Sequence, residues 1–578
     1  MHGRTRKRVY KESRGFASGY AVILVQLHLA ALRLAVMEQQ PPFTRVDLSI
    51  YNTLSRSKER FTALRPPLVG MYVCGPTVYS DPHLGHARTA VAFDTVFRAL
   101  RFLGYRVRFV RNLTDVGHLE DEVASVGEDK IGKRARLEQL EPMEVVQRYT
   151  LSYHRAVDAL GCLPPSIEPR ASAHIMEQIE VVQRILDAGL AYEHEGSVYF
   201  DLERYATAPD SSYGALSGKV FEDLKANTRA TAGGDDKRGA LDFALWKKAE
   251  PSHIMRWKSP WGEGFPGWHL ECTTMSTRYL GEQFDIHGGG LDLQFPHHEA
   301  EIAQNHGAYG NAPARFWIHS NMLTVDGQKM ARSLGNYITV DELLTGSHPR
   351  LERGFAPMVV RFLMLQSHYR STIDFSMDAL VAAERGYAKL MDALAEAEAL
   401  LASVGVHPAG VDPGQQTTAV ADATIGSTRD PIAAAGADLG SAAELAAAPG
   451  HETDVKAALT ELWSGLADDF HAPRIIAALF DLAKLTRKPE HEQSATALRT
   501  YAARAQIAFT RQVLGLAPST ASDASDDKLA AVMQVLIDLR AQARAAKDFA
   551  TGDRIRDELA AVGVSLKDGP DGTSWSTE

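Results

Sequence analysis

The sequence predicts an α/β protein: a doubly wound parallel-sheet (Rossmann-like) domain split by an insertion, followed by a helical bundle and a small C-terminal domain. Three observations predict it. Two stretches, 68–110 and 261–345, pair short apolar runs with helical apolar spacing. The chain between them mixes helix and short strand, and from Pro357 onward the spacing is helical with one break. The 578 residues suffice for about three to five domains. Hydrophobic residues at 45% and charged residues at 23% are ordinary for a folded chain, which excludes collagen, coiled-coil arrays and wholesale disorder. Three cysteines, Cys74, Cys162 and Cys272, cannot build a disulfide framework and fit a reducing compartment. A formal charge of −10 argues against non-specific coating of nucleic acid but allows a local basic face.

Residues 1–40 read as an extension, disordered or upstream of an effective start at Met37. Arg4, Arg6, Lys7, Arg8, Lys11 and Arg14 precede an apolar stretch from Tyr20 to Val36, which imitates a signal peptide. Gln26, His28 and Arg33 interrupt it, and a spanning helix needs about 20 mostly apolar residues. Glu12 is the only acid in residues 1–36, so a transit peptide is the alternative. No membrane span is expected anywhere, and the expected location is the cytoplasm.

Residues 41–165 read as the first half of the sheet domain. LVGMYVC suits a buried parallel strand, GPTVYSDPHLGHAR a loop, Ala87 to Leu103 a helix ended by Gly104, and Tyr105 to Val110 a second strand. Residues 166–260 are a connective insertion without a catalytic signature. Residues 261–345 form the second half: FDIH is a strand, GGG a tight loop, Pro296 a helix start, and Asp326-Gly327 a hairpin turn. Residues 346–401 are a helical linker, 402–452 an Ala/Gly-rich flexible insertion, and 453–520 a helical bundle. The joint TASDASDD leads to a last unit, 526–578, where Leu529, Val532, Met533, Leu536 and Leu539 form a helical stripe.

Three constellations carry chemistry. His83-Leu84-Gly85-His86 lies where the loop enters the first helix. Free N–H groups and the dipole favour a phosphate there, two imidazoles three apart can converge on it, and Gly85 allows close approach. Lys329-Met330-Ala331-Arg332-Ser333 follows a tight turn with two cations three apart, a clamp for polyphosphate. His297 and Glu301, four apart, share a helix face, and Cys74 and Cys272 are available at strand ends. Two thiolates, an imidazole and a carboxylate suit tetrahedral zinc, with His298 competing for the place of His297. Taken singly, each has a plainer reading: surface histidines, a basic loop, and buried cysteines beside a common helix pair.

In order, MYVCGPTVY, HLGH, RNLTDV, GWHLEC, HGGGLDLQFPHHEAEIAQ and KMARSLGN resemble the cysteinyl-tRNA synthetases, a family of class I aminoacyl-tRNA synthetases, over roughly 45–380. KDFATGDRIRDELAAVGVSLKDGPDGTSW resembles that family's end domain. The resemblance implies ATP-dependent joining of L-cysteine to tRNA(Cys), with zinc at the active site and Mg2+ accompanying ATP; separately, a monomer is expected. It implies ATP contacts at Gly75, Thr77, His83, His86, Asp292, Lys329 and Arg332. His83, His86, Lys329 and Arg332 would be catalytic, Thr114 and Trp268 would flank the cysteine, and Cys74, Cys272, His297 and Glu301 would be zinc ligands. The second signature departs from the usual Lys-Met-Ser-Lys-Ser, with Ala331 for Ser and Arg332 for Lys. It also places tRNA binding at 453–520 and anticodon recognition at 526–578. There Arg540, Arg544, Lys547, Arg554 and Arg556, and before them Arg474, Lys484, Arg487 and Lys488, are candidate phosphate contacts. A related ligase joining cysteine to an amino sugar would share only the core, and a non-catalytic relative would not need both signatures intact.

Overall fold

A computed structural model describes residues 46–117, 119–121, 126–209, 211–228, 237–251, 253–405, 439, 453–486, 496–518, 533, 535–561, 564–569 and 572–577. The expectations for 1–40 and for nearly all of 402–452 lie outside these residues. So do Leu529, Val532, Arg487 and Lys488.

Four parallel strands carry the site: β1 (Leu68–Val73), β2 (Arg106–Arg111), β3 (Phe284–Gly290) and β4 (Ala314–Ser320), in the order β4-β3-β1-β2. Helix α1 (Leu84–Phe102) crosses from β1 to β2. Helix α2 (Trp268–Leu280) leads into β3, and α3 (His297–Tyr309) crosses to β4. The chain moves outward in opposite directions from the adjacent β1 and β3, so the crevice for a ligand opens at their carboxyl ends. The expected apolar positions of α1, Val91, Phe93, Val96, Phe97 and Leu100, are all buried.

Three boundaries differ from expectation. Helix α1 begins at Leu84 rather than Ala87, because the His83 side chain caps it by accepting from the Gly85 N–H. The second strand is Arg106–Arg111, one residue later than expected. Gly288, Gly289 and Gly290 are not a tight loop; they continue β3, paired with Ile318, His319 and Ser320. A Cβ on Gly288 would lie 2.1 Å from the Phe93 ring, so the glycine is needed for α1 to pack on the sheet. Cys272 is also in the second turn of α2, not at a strand end.

Between β2 and α2 lies a five-stranded antiparallel sheet, ordered 257–259, 262–266, 243–248, 197–200 and 191–194. Its loop at 211–219 docks on α3, where buried Glu299 accepts from the N–H groups of Gly214 and Ser217 at 3.0 and 2.7 Å. After β4, Leu323–Val325 and Gln328–Lys329 form the expected hairpin, with Asp326 and Gly327 at φ 50° and 73°. Helices Pro357–Leu365 and Met377–Ser403 follow, then Thr453–Ala467, Ala472–Thr486 and Thr496–Ala508.

Buried charges tie the bundle to the sheet. Asp94 of α1 meets Arg98 at 2.8 Å and Arg361, whose Nε donates to the Leu514 carbonyl at 2.8 Å. Burial alone would raise the Asp94 pKa, but the two guanidinium groups and the Leu163 N–H outweigh it and hold the carboxyl low. Asp469, buried in the turn before Ala472, accepts from the Tyr51 N–H at 3.0 Å and from Arg370 Nε at 2.6 Å. Residues 517–578, with 356–358, form a second unit. It contains a helix at 535–545, a helix Phe549–Ala561 and an antiparallel hairpin, Val564–Gly569 with Gly572–Thr577. Among the described residues, no helix is long and apolar enough to cross a membrane.

Candidate active site

A cleft of about 500 Å³ opens at the carboxyl ends of β1 and β3. Cys74, Gly75, Thr77, His83, His86, Trp268, Asp292 and Lys329 line it. Cys272, His297 and Glu301 stand behind its wall, each 1% exposed. Thr114 and Arg332 do not line it.

On one side is the start of α1. The Gly85 N–H donates to His83 Nδ1 at 3.0 Å, and the His83 N–H donates to His86 Nδ1 at 3.2 Å. Backbone N–H groups can only donate, so both Nδ1 atoms are unprotonated acceptors and both protons sit on Nε2. The rings stack with centroids 3.9 Å apart. Burial, then the Arg332 charge, lowers His83 to about 4, and burial, then His83, lowers His86 to about 3. These are neutral donors at physiological pH, not cations. A Cβ on Gly85 would lie 2.8 Å from the His83 ring, so this stacked pair requires the glycine.

Opposite it runs the Lys329–Ser333 loop. Buried Asn336 holds it from beneath: its Oδ1 accepts from the Ala331 N–H at 2.8 Å and its Nδ2 donates to the Lys329 carbonyl at 3.1 Å. The Lys329 charge favours ionised Asp292, although burial is the larger effect and raises that carboxyl. Gly75 admits no side chain, since its Cβ would lie 1.7 Å from the Asn112 carbonyl oxygen. Asp292, Lys329 and the α1 start thus surround one space with a carboxyl, an exposed ammonium, a positive dipole end and neutral donors.

The wall holds a dense donor cluster. Cys74 Sγ lies 3.5 Å from Cys272 Sγ and 3.6 Å from Glu301 Oε1, and His297 Nε2 lies 3.2 Å from Glu301 Oε1. Tetrahedral zinc with ordinary bond lengths implies separations of about 3.8 Å for S···S, 3.6 Å for S···O and 3.4 Å for N···O. The four residues therefore fit that ion in kind and in spacing. A second set, Cys74, His287, His298 and Glu301, is also within reach of a common centre. The set with Cys272 offers two sulfurs rather than one and is the better match for a soft-tolerant ion. Burial, the largest effect, raises both thiols; Cys272 and Glu301 raise Cys74 further, whereas at Cys272 the hydrogen bond with Cys74 lowers the thiol and Glu301 raises it. Three ionisable acids packed together without a cation are costly; a divalent ion resolves that cost.

Sequence reasoning missed the residues that orient this cluster. His269 Nδ1 meets His297 Nδ1 at 2.8 Å. His287 Nε2 meets Glu301 Oε2 at 2.8 Å. His298 Nδ1 meets His319 Nε2 at 2.8 Å, and His319 Nδ1 meets Thr53 Oγ1 at 2.9 Å. The available signal was a histidine at the same point of successive apolar runs, GWH, FDIH and WIH. Trp268 lies on the His297 ring, with centroids 4.2 Å apart. The Thr114 hydroxyl is taken by Glu271 at 3.0 Å, and the Thr114 backbone pairs with Pro76 and Val78. Arg332 stacks on Tyr337 instead. Of the basic candidates farther along, Arg474 is held by Glu461 and Asp468, Lys484 by Asp481, Arg554 by Glu558 and Arg556 by Asp553 and Asp557.

Comparison with known proteins agrees with this arrangement. Residues 60–385 match the class I (C) tRNA synthetase catalytic domain, and 526–575 match the cysteinyl-tRNA ligase anticodon binding domain. A cysteine–tRNA ligase of Porphyromonas gingivalis is 49% identical over 531 residues, covering 91% of this chain and 99% of the relative. One of Deinococcus radiodurans is 44% identical over 539 residues, covering 92% and 96%. Among solved structures, the Agrobacterium radiobacter K84 agnB2 LeuRS–tRNA–LeuAMS complex matches with a TM-score of 0.51 at 13% identity, covering 79% of this chain and 85% of that one. That likeness concerns the fold alone. On the two domain matches and the full-length relatives, the chain is a ligase belonging to the cysteine–tRNA ligase family of class I aminoacyl-tRNA synthetases.

Proposed function

We propose that this chain activates L-cysteine with ATP, giving cysteinyl-adenylate and pyrophosphate, and then transfers cysteine to the 3′ end of tRNA(Cys). The observation that carries the reading is the adjacency of two phosphate-directed loops and a buried Cys74–Cys272–His297–Glu301 set around one cleft. The cysteine carboxylate attacks the α-phosphate, and pyrophosphate leaves. His83 and His86 donate from Nε2 to phosphate oxygens without altering net charge. Lys329 and Arg332 follow the charge that builds on the leaving pyrophosphate, and Mg2+ accompanies ATP as part of the substrate. Asp292, Thr77 and the side-chain-free position at Gly75 place the nucleotide. Trp268 presents an apolar face toward the cysteine and keeps the His297 ring in place. Thr114 acts from behind, by fixing the chain end that carries Gly75 to Thr77.

Cys74, Cys272, His297 and Glu301 would hold zinc, which when bound favours a thiolate ligand over the neutral hydroxyl of serine. Size alone separates such isosteres weakly, by about 1–3 kcal/mol, so the donor set supplies a chemical criterion in its place. The matched segment 526–575 would meet the anticodon, with Arg540, Arg544 and Lys547 as candidate phosphate contacts.

The deciding experiment is transfer of labelled cysteine from an ATP mixture onto purified total tRNA, with serine in parallel. Charging with cysteine only is the expected result. Exchange of pyrophosphate without charging would redirect the acceptor to an amino sugar and reject the tRNA step.

A further inference from the structure

The two signature loops come from opposite halves of the sheet domain, yet they are joined directly. The Leu84 N–H donates to the Ile338 carbonyl at 3.2 Å, and the Val340 N–H donates to the Pro82 carbonyl at 2.9 Å. Tyr337 sits at this seam. Its ring stands edge-on to His83, with centroids 5.1 Å apart and planes at 71°. Its face carries the Arg332 guanidinium, 4.4 Å from the ring centre. Arg332 is exposed and, among the described residues, meets no carboxylate. What places it is therefore the aromatic face. A planar guanidinium stacks on such a face with a defined orientation, whereas an ammonium is a point charge on a flexible stem.

We propose that Tyr337 is a positioning residue for adenylate formation: its face holds Arg332 and its edge orients His83, so both loops present their phosphate-binding groups together. The pairing explains how arginine serves where the second signature usually has lysine. It rests on the reading that Arg332 meets the ATP phosphates. The backbone seam sets the distance between the loops, and Tyr337 converts that distance into a side-chain arrangement. Loss of the ring frees the guanidinium to swing into solvent while leaving the seam intact.

The test is cysteine-dependent ATP–pyrophosphate exchange by the full chain, with rates normalised to titrated active sites. Tyr337→Phe keeps the ring and stays within about twofold of the parent. Tyr337→Leu lowers kcat by about three- to tenfold, with KM for cysteine unchanged. Arg332→Ala lowers kcat as well, and the double variant loses less than the product of the two single losses. Multiplicative losses, a Tyr337→Phe loss equal to that of Tyr337→Leu, or a rise in the cysteine KM would overturn the pairing. Full activity in Arg332→Ala would instead overturn the reading of Arg332 itself, and the pairing with it.

Discussion

The thiol wall and the phosphate rim of the cleft are built on opposite principles. At the wall, Cys272, His297 and Glu301 are 1% exposed and are backed by His269, His287 and Asn112. At the rim, Lys329 and Arg332 are exposed, and the stiffness lies in backbone held by Asn336 and in the stacked His83–His86 pair. Under the proposed function, the group that would tell sulfur from oxygen is buried and hydrogen-bonded, where a bound metal's preference would not be diluted by water. On the same reading, the groups that would meet a departing pyrophosphate are exposed cations, Lys329 and the Tyr337-stacked Arg332, on backbone fixed by Asn336.

Cys272→Ser breaks the wall and leaves the rim. Zinc content should fall to background by atomic emission, and cysteine-dependent pyrophosphate exchange should fall by more than about a thousandfold. That exceeds the 10–100-fold typical of outer-shell partners. Retained exchange in metal-free protein would reject the assignment of selectivity to this set. Lys329→Ala does the reverse: bound zinc is unchanged and exchange falls by about a hundredfold, the scale of one missing charge-stabilising donor. If zinc were lost from Lys329→Ala, the two regions would not be separable.

Asn336→Ala should have a smaller effect, of about tenfold on exchange, because it leaves every phosphate-binding side chain in place. It removes two hydrogen bonds that fix the loop backbone, about 1 kcal/mol each, and exposes no new charge. A rise in KM for ATP at unchanged kcat would show that the loop serves ground-state binding rather than the transition state.

The two regions were unequally legible in the sequence. The rim could be read locally: a histidine pair at a helix start and two cations after an Asp-Gly turn are short-range patterns. Its internal wiring could not, because Tyr337 meets His83 only through the three-dimensional seam. The wall was legible as ligand chemistry but not as position. Cys272 lies on a helix rather than at a strand end, since the sheet insertion runs straight into α2 through Gly267. The orienting histidines lie on β3 (His287), β4 (His319) and α2 (His269), and it takes the parallel register and the packing of α2 against α3 to bring them behind the ligands. The triple glycine misled for a related reason: it reads locally as a turn, but it is bare strand cut to fit Phe93. Buried Asp94 and Arg98 share α1 with other buried polar residues, Arg88 and Arg101, and their partner Arg361 is too distant in sequence for any local pattern to reveal.

The smallest expected effect concerns pH, and it separates rim from wall through protonation. His83 and His86 have folded pKa values of about 4 and about 3, against an ordinary value of 6.5. Between pH 6.5 and about 4 the unfolded chain therefore takes up protons that the folded chain refuses. Their contribution to stability is whole above pH 6.5 and declines as pH falls through that window. His83→Asn should flatten that decline, read as a thermal midpoint that changes less between pH 7.5 and 5 than in the parent. Exchange activity should show no step near pH 6.5 from these rings, because they are already neutral donors on Nε2. A step near pH 6.5 that disappears in His86→Asn would mean that imidazolium, not imidazole, meets the phosphates. The Nδ1 atoms would then have surrendered the backbone N–H bonds that start α1, and the rim would carry its charge in the rings rather than in Lys329 and Arg332.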